Sequence, residues 1–110
     1  MSRVKCFCID DSNRPKEIPK ERWPVKEREY HIIHIYVHHN QNCIQGVDLA
    51  EIELDETCKP YETYKLSRFA IPAKELHKLF EMIKNISETK NLDINVDEFC
   101  KKLEEDLTTI

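Results

Sequence analysis

The chain has 110 residues, of which 40% are hydrophobic and 35% charged, and its formal net charge at pH 7 is −4. This length suits a single domain that buries its own apolar core, and the composition, with only one glycine, is not that of a disordered chain. The net negative charge argues against general affinity for the phosphate backbone of nucleic acids, because such affinity depends on clustered lysine and arginine.

Neither a membrane span nor a secretion signal is expected from the sequence. No apolar stretch approaches the roughly 20 residues that are needed to span a bilayer, and residues 1–5 lack the apolar core of a secretion signal. The five cysteines, an odd number, are typical of a reducing compartment in which thiols serve as small buried side chains. We therefore expect a cytoplasmic protein without disulfides or membrane contact.

The first predicted strand runs from Val4 to Ile9. Side chains alternate between the two faces of a strand, which places Val4, Cys6 and Cys8 together on one face. The opposite face carries apolar side chains as well, so we expect both faces of this strand to be covered.

A long loop is predicted over residues 10–27, because turn-forming residues end the first strand and three prolines follow. Within this loop, Ile18, Trp23 and Val25 are spaced as anchors that would pin it to the domain. Loops of this length often carry function. We therefore expect the loop to line the binding site.

The central strand is predicted from Tyr30 to His39, an unbroken run of β-branched, aromatic and imidazole side chains. Alternation assigns one set of these side chains to the core: His31, Ile33, Ile35, Val37 and His39. The other set would form a mixed, partly solvated face: Tyr30, Ile32, His34, Tyr36 and His38.

Three further strands complete the predicted sheet. A hairpin turn at residues 40–42 leads into a strand from Cys43 to Leu54, in which Gly46 marks a bulge or a close backbone approach. A fourth strand is predicted from Tyr61 to Leu66. A tight turn and a brief last strand follow, and this strand ends at Ile71.

Two helices are predicted after Pro72, a residue that suits the start of a helix. The first has an apolar face with three- and four-residue spacing: Leu76, Leu79, Phe80, Ile83 and Ile86. The second begins at Asn95, which can cap it together with Glu98 three positions later. Its narrower apolar stripe consists of Val96, Phe99, Leu103 and Leu107.

These elements predict an α+β fold: a five-stranded antiparallel small barrel or strongly bent sheet followed by two C-terminal helices. Residues 1–71 would form the small β-barrel domain with its long first loop (10–27), and residues 72–110 a helical tail packed on the same domain. A barrel that closes its own core would leave the second apolar stripe uncovered, which predicts a homodimer through the helical tail. The alternative is that the second helix folds back on the first within one chain.

The histidines and cysteines predict neither a metal site nor any other cofactor. His34 and His38 share a strand face but would lie about 13 Å apart, and the pair Cys6 and Cys8 lacks two further ligands at motif spacing. Surface or cross-strand contacts are the alternative role for the histidines. The chain also lacks a nucleophile elbow, a phosphate-binding loop and a dinucleotide fingerprint, so we predict a protein that is not an enzyme.

Aromatic and basic residues form the candidate partner-binding set: Arg14, Arg22, Trp23, Arg28, Tyr61, Tyr64 and Arg68. Such residues are enriched in the hot spots of protein interfaces, and aromatic side chains also stack on nucleic-acid bases. The alternative is structural: Trp23 anchors the loop, whereas Tyr64 and Phe69 belong to the core.

Several of these residues also carry a resemblance to known proteins. They are the stretch Cys-Ile-Asp-Asp-Ser-Asn-Arg-Pro at residues 8–15, then Ile18 with Pro19, Trp23, Tyr30 and the stretch 61–69. Over residues 3–71 the chain resembles small proteins of phages and mobile elements of Bacteroides-type bacteria, a group that brings no assigned activity. Five short strands with a long first loop are also similar to a small barrel of the Src-homology-three type, a fold that hosts many functions. The helical tail departs from that barrel.

Together these observations predict a non-catalytic binding module of phage or mobile-element origin, whose partner is another protein. One alternative is a nucleic-acid-binding protein that uses the 14–28 loop. Another is a small-molecule sequestering or hydrolytic protein.

Overall fold

The computed structural model describes residues 3–38 and 43–110 of the chain. Within these residues it contains five strands: β1 (Val4–Cys8), β2 (Glu29–His38), β3 (Cys43–Leu49), β4 (Phe69–Ile71) and β5 (Thr108–Thr109). Two helices, α1 (Leu76–Thr89) and α2 (Val96–Asp106), lie between β4 and β5 along the chain. Short 3-10 turns occur at Lys20–Arg22, Glu56–Cys58, Leu66–Arg68 and Ala73–Glu75. The predicted hairpin turn at residues 40–42, and His39, lie outside the described residues.

The strands form one curled, half-barrel sheet in the order β3-β2-β1-β4-β5. The pairs β3–β2, β2–β1 and β1–β4 are antiparallel, whereas β5 runs parallel to β4. A five-stranded, strongly bent sheet with two C-terminal helices confirms the predicted α+β fold class. The parallel pair at the edge differs from the predicted all-antiparallel sheet.

The prediction of a fourth strand at residues 61–66 is wrong. Those residues contain no strand and touch the sheet through one bridge, in which Tyr64 and Val47 exchange backbone hydrogen bonds of 2.9 and 3.0 Å. Pairing does not continue because the chain turns into the 3-10 turn Leu66–Arg68. The fifth strand comes instead from Thr108–Thr109 after α2, a segment too short to show any alternation in the sequence.

The central strand changes its alternation part-way along, so its predicted faces are only partly right. The register against β3 shifts between Ile32 and His34, as it does at a β-bulge. Before the shift Tyr30 and Ile32 are buried, contrary to the prediction, and after it Ile35 is buried as predicted. Ile33, predicted to be in the core, is 39% exposed because it alternates with buried Ile32, and the shift that follows returns Ile35 to the buried face.

A bulge is confirmed next to the single glycine. Gly46 pairs with Tyr36, but the next pair joins Ile44 to Val37, which leaves Gln45 unmatched in the described part of this ladder. The extra residue on β3 bends the strand and increases its local twist.

Strand β3 is shorter than predicted, since it ends at Leu49 and not at Leu54. The Ala50 N–H still reaches β2, where it donates a 2.9 Å hydrogen bond to the His31 carbonyl. The following residues leave the ladder, and Ile52 lies half-buried against the edge of the core.

The long loop is pinned to the domain, although not by all three predicted anchors. Ile18 is buried and Trp23 is half-buried, as predicted, whereas the side chain of Val25 is exposed. At Val25 the backbone makes the contact instead, because its N–H donates to the Tyr30 hydroxyl at 2.7 Å.

The helices and the sheet share one hydrophobic core in the described residues. Leu79 and Ile83 of α1 and Phe99 and Leu103 of α2 are buried in the same cluster as Val4 of β1. The predicted apolar face of α1 is thus confirmed. The expectation of an uncovered stripe on α2 is wrong, because the half-barrel leaves an open side that the helices cover within the same chain.

Two local features of the helical part follow the sequence directly. The Asn95 side chain accepts a hydrogen bond of 3.2 Å from the Glu98 N–H, which confirms the predicted N-cap of α2. Pro72 precedes the 3-10 turn Ala73–Glu75, which leads into α1 at Leu76. Helical backbone therefore begins where the spacing of apolar residues changes from the two-residue period of a strand to the three- and four-residue period of a helix.

Glu75 supports the edge of β1 where β4 has ended. The register of β1 against β4 leaves Lys5 beyond the last residue of β4, Ile71, and the Glu75 carboxylate accepts the Lys5 N–H at 2.9 Å. The Lys78 ammonium lies 3.1 Å from the other carboxylate oxygen. The hydrogen bond from Lys5 and the charge of Lys78 hold the pKa of Glu75 below its ordinary value.

We expect Glu75→Ala to lower the free energy of unfolding by about 1–3 kcal/mol, since it leaves a partly buried N–H without an acceptor. Glu75→Gln should lower the free energy of unfolding by less, because the glutamine amide oxygen can still accept the hydrogen bond from the Lys5 N–H. The lowered pKa means that the carboxylate stabilises the fold above its ordinary pKa and loses this effect as the pH falls through the folded pKa. Urea unfolding of both variants between pH 3 and pH 7, with exposed Glu81→Ala as control, measures these effects. Equal losses of unfolding free energy in Glu75→Ala and Glu81→Ala would contradict the proposal that Glu75 stabilises the edge of β1.

Candidate functional site

A surface groove of about 300 Å³ lies between the long loop and the chain segment that precedes β4. We call it the aromatic groove. From the loop it is lined by Asn13, Pro15, Ile18 and Trp23. From the other wall it is lined by Tyr61, Thr63, Tyr64, Lys65 and Arg68. Residues far apart in the sequence therefore form one concave surface.

Trp23 and Arg68 join the two walls of the aromatic groove. The Arg68 guanidinium lies over the Trp23 ring, with its central carbon 4.6 Å from the ring centroid, which is the geometry of a cation–π contact. The same guanidinium donates to the Ser12 carbonyl at 2.8 Å and to the Asp10 carbonyl at 3.2 Å. The Trp23 indole N–H donates to the Asp11 carbonyl at 2.7 Å. These bonds hold the loop in one position against the domain.

Asp10 and Ser12 form a tight turn at the start of the loop. The Ser12 hydroxyl and its backbone N–H both donate to the Asp10 carboxylate. These two hydrogen bonds, helped by the charge of Arg68, lower the pKa of Asp10 from its ordinary value. The carboxylate therefore stays ionised and keeps its ion pair with Arg68, in which the nitrogen and oxygen are 3.5 Å apart.

Tyr64 and Tyr61 contribute to the groove in different ways. Tyr64 is buried, and its hydroxyl donates to the Arg22 carbonyl at 2.7 Å. Burial raises the pKa of Tyr64, so its hydroxyl remains a neutral donor. The structural alternative is thus right for Tyr64 and also for Phe69, which is fully buried. Tyr61 is 39% exposed and presents its ring to solvent.

The structure brings together four of the seven candidate partner-binding residues, namely Trp23, Tyr61, Tyr64 and Arg68. The other three, all arginines, lie outside the lining of the aromatic groove. Arg14 donates to the Ile18 carbonyl within the loop, and Arg28 is exposed elsewhere. Arg22 pairs with the Asp55 carboxylate at 3.1 Å. The arginines therefore do not form one basic patch.

A neighbouring groove of about 410 Å³ shares Tyr61, Thr63 and Lys65 with the aromatic groove and also includes Tyr36 and Gln45. Sequence reasoning missed Thr63 and Lys65 as lining residues. The one available signal was Gly46, because a glycine in a strand indicates close approach of another segment. It does not identify that segment, which is Thr63 in the structure.

Tyr36 is a second half-exposed tyrosine beside the aromatic groove. Its hydroxyl donates to the Asp48 carboxylate at 2.7 Å, and this bond raises the pKa of Tyr36 to about 12. His34 packs against its ring edge with the centroids 4.7 Å apart. Tyr36 is therefore held in one orientation by Asp48 of the neighbouring strand and by His34 of its own strand.

The other histidine contacts in the described chain are made by carboxylates. Nδ1 of His31 is 2.6 Å from the Glu51 carboxylate, and Nε2 is 3.6 Å from that of Glu29. No three His, Cys, Asp or Glu side chains in residues 3–38 and 43–110 come together in a way that could hold a metal ion. None of the five cysteines, all of which lie in the described residues, forms a disulfide.

The chain was also compared with known proteins. No protein-family model, no curated protein and no solved structure matches this chain. No helix in the described ranges is long and apolar enough to cross a membrane.

Proposed function

We propose that the chain is a non-catalytic binding module that recognises another protein through the aromatic groove. The observation that carries this proposal is the convergence of Trp23, Tyr61 and Arg68 from separate segments onto one concave surface. Tryptophan, tyrosine and arginine are the residue types most enriched in interface hot spots. Tyr61 supplies the most accessible of these side chains.

The rigidity of the groove supports the same proposal. Its loop wall is held by the hydrogen bonds of Trp23, Tyr64 and Arg68 described above. A wall that is already ordered in the free protein loses little conformational entropy when a partner binds. The groove is thus suited to bind a partner tightly even though the contact area is small.

The cysteines support a non-catalytic role. Cys6 and Cys8 are buried in β1, and Cys58 is buried at the end of a 3-10 turn. Burial raises the pKa of Cys6 to about 12 and also raises the pKa of Cys8. A reactive thiolate requires a lowered pKa and access to substrate, so these thiols fit a structural role.

The cysteines, none of which forms a disulfide, agree with a reducing compartment, and we propose the cytoplasm as the location. The resemblance of residues 3–71 supports a phage or mobile-element origin. Self-association through the helical tail has less support, because Phe99 and Leu103 are covered within the chain. Nucleic-acid binding by the 14–28 loop also has less support, since Arg14 and Arg22 bond to the chain itself.

Tyr61→Ala is expected to reduce capture of a specific protein partner about tenfold or more, because an exposed aromatic at a hot spot contributes at least that much. Val25→Ala, which truncates an exposed side chain outside the groove, should leave capture unchanged. The measurement is affinity capture from nuclease-treated bacterial lysate with quantitative mass spectrometry, comparing both variants with the wild type.

Proteins captured equally by all three forms would contradict the proposal. A signal that appears only in a parallel capture without nuclease, and that falls on raising the salt concentration, would instead favour the nucleic-acid alternative. The thermal unfolding midpoints of the variants show whether the fold is intact. Little change is expected, because both side chains are exposed.

A further inference from the structure

A separate groove of about 550 Å³, which we call the acidic groove, shares no lining residue with the aromatic groove. Arg22 lines the acidic groove, whereas its neighbour Trp23 lines the aromatic groove. The apolar part of the acidic groove is formed by Ile33, Leu49 and Ile52. Its acidic side chains are Glu21, Glu51 and Glu53.

Ile33 is an apolar side chain that the fold turns outward. It lies on the longest strand, between buried Ile32 and buried Ile35, and it is 39% exposed. Because Ile32 is buried, alternation along the strand places Ile33 on the outer face. Ile33 thus gives the acidic groove an exposed β-branched surface that Ile52 extends.

Two carboxylates of this groove are not compensated by the protein. Within residues 3–38 and 43–110, the side chains of Glu21 and Glu53 have neither a hydrogen bond nor an ion pair. The Glu51 carboxylate is already engaged, since both its oxygens bind the His31 ring or backbone N–H.

The arginine in the groove does not balance these charges. The Arg22 guanidinium pairs with Asp55 at 3.1 Å and donates to the Glu53 backbone carbonyl at 2.9 Å. Arg22 therefore joins the 3-10 turn Lys20–Arg22 to the segment that follows β3. The groove is left with a net negative charge beside apolar surface.

We propose that the acidic groove docks a segment of a partner protein in which a lysine or arginine stands next to an aliphatic side chain. The cationic group complements Glu21 and Glu53, and the aliphatic group covers Ile33 and Ile52. Apolar burial provides most of the affinity in such a contact, whereas the charges provide orientation and faster association. This docking site is independent of the function proposed for the aromatic groove.

The test is a selection of random peptides displayed on phage against the full chain, followed by calorimetric titration of the enriched peptides. Enriched sequences are expected to combine Lys or Arg with Ile, Leu or Val. Ile33→Thr should weaken their binding about tenfold or more, because it removes apolar contact area. Glu21→Gln together with Glu53→Gln should weaken binding several-fold and reduce its sensitivity to salt.

Matched controls come from the same chain. Ile9→Thr changes an isoleucine that is also 39% exposed but lines neither groove, and it should leave binding unchanged. Glu81→Gln with Glu88→Gln removes two exposed carboxylates from α1 and should also have no effect. Tyr61→Ala should not weaken the binding of these peptides. Loss of their binding in that variant would assign them to the aromatic groove. This result would overturn the docking proposal but not the function proposed for the aromatic groove.

The proposal is overturned if no peptide is enriched, if the enriched peptides lack cationic residues, or if their binding is unaffected by the groove variants. It is also overturned if light scattering shows a dimer that Ile33→Thr converts to a monomer, because a second copy would then be the occupant. Thermal unfolding checks each variant. Should Ile33→Thr not fold, the two glutamine substitutions decide the outcome, since they change only exposed side chains.

Discussion

Alanine in place of Gly46 is expected to lower the free energy of unfolding by about 3 kcal/mol, at the upper end of the range for overpacking. A Cβ at this position would lie 2.0 Å from Oγ1 and 2.5 Å from Cβ of Thr63. The φ angle of Gly46 is not in the left-handed region, so the cost comes from this contact and not from backbone strain. Urea unfolding at equilibrium measures the loss.

A rescue experiment identifies the contact. Thr63→Ala removes Oγ1 but retains the Cβ that would lie 2.5 Å away, so it should restore only a small part of the stability of Gly46→Ala. Thr63→Gly removes that atom and should restore part of the stability, although a glycine has its own cost of up to about 1 kcal/mol. The favourable coupling energy in this double-mutant cycle is therefore expected to be larger with glycine than with alanine. Equal rescue by both substitutions, or a Gly46→Ala variant as stable as the wild type, would contradict the packing argument.

Phe99→Ala is expected to lower the free energy of unfolding by about 3–5 kcal/mol, the range for a buried phenylalanine. Phe99 is 1% exposed and packs in the cluster that joins α2 to the sheet. Such a loss is a large fraction of the total stability of a domain, which is about 5–15 kcal/mol. Lys101→Ala, at an exposed position of the same helix, should change stability by less than about 0.5 kcal/mol.

The shape of the unfolding transition adds a second criterion for Phe99. Because the helices and the sheet share one core, helical and aromatic signals should change in a single transition in the wild type. The Phe99→Ala variant should unfold in one transition as well, at lower urea concentration. If α2 unfolds first, in a separate step with little effect on the sheet, then residues 72–110 form an appendage and the shared core is not required for folding.

The sequence alone predicted the elements whose signals are local. The alternation in β1, the apolar face of α1, the Asn95 cap and the bulge at Gly46 all match the structure. Each depends on residues within a few positions of one another, so side-chain period, capping chemistry and the backbone freedom of glycine are sufficient. The α+β class follows from the order of these elements.

The candidate site was only partly predictable for the same reason. Residue type singled out Trp23, Tyr61 and Arg68, which do meet at the aromatic groove. It could not separate them from Arg14 and Arg28, which have the same chemistry but lie outside the groove. Position in the fold, and not residue type, makes that distinction.

What the sequence by itself determined, then, is the class of fold, the two helices and the aromatic and arginine side chains available for binding. Only the tertiary structure decided that Ile33 faces outward, that Thr108–Thr109 completes the sheet and that Thr63 lies against Gly46. These outcomes depend on the register between strands and on contacts between residues far apart in the chain. Neither leaves a local pattern, because a one-residue shift in register moves every following side chain to the opposite face.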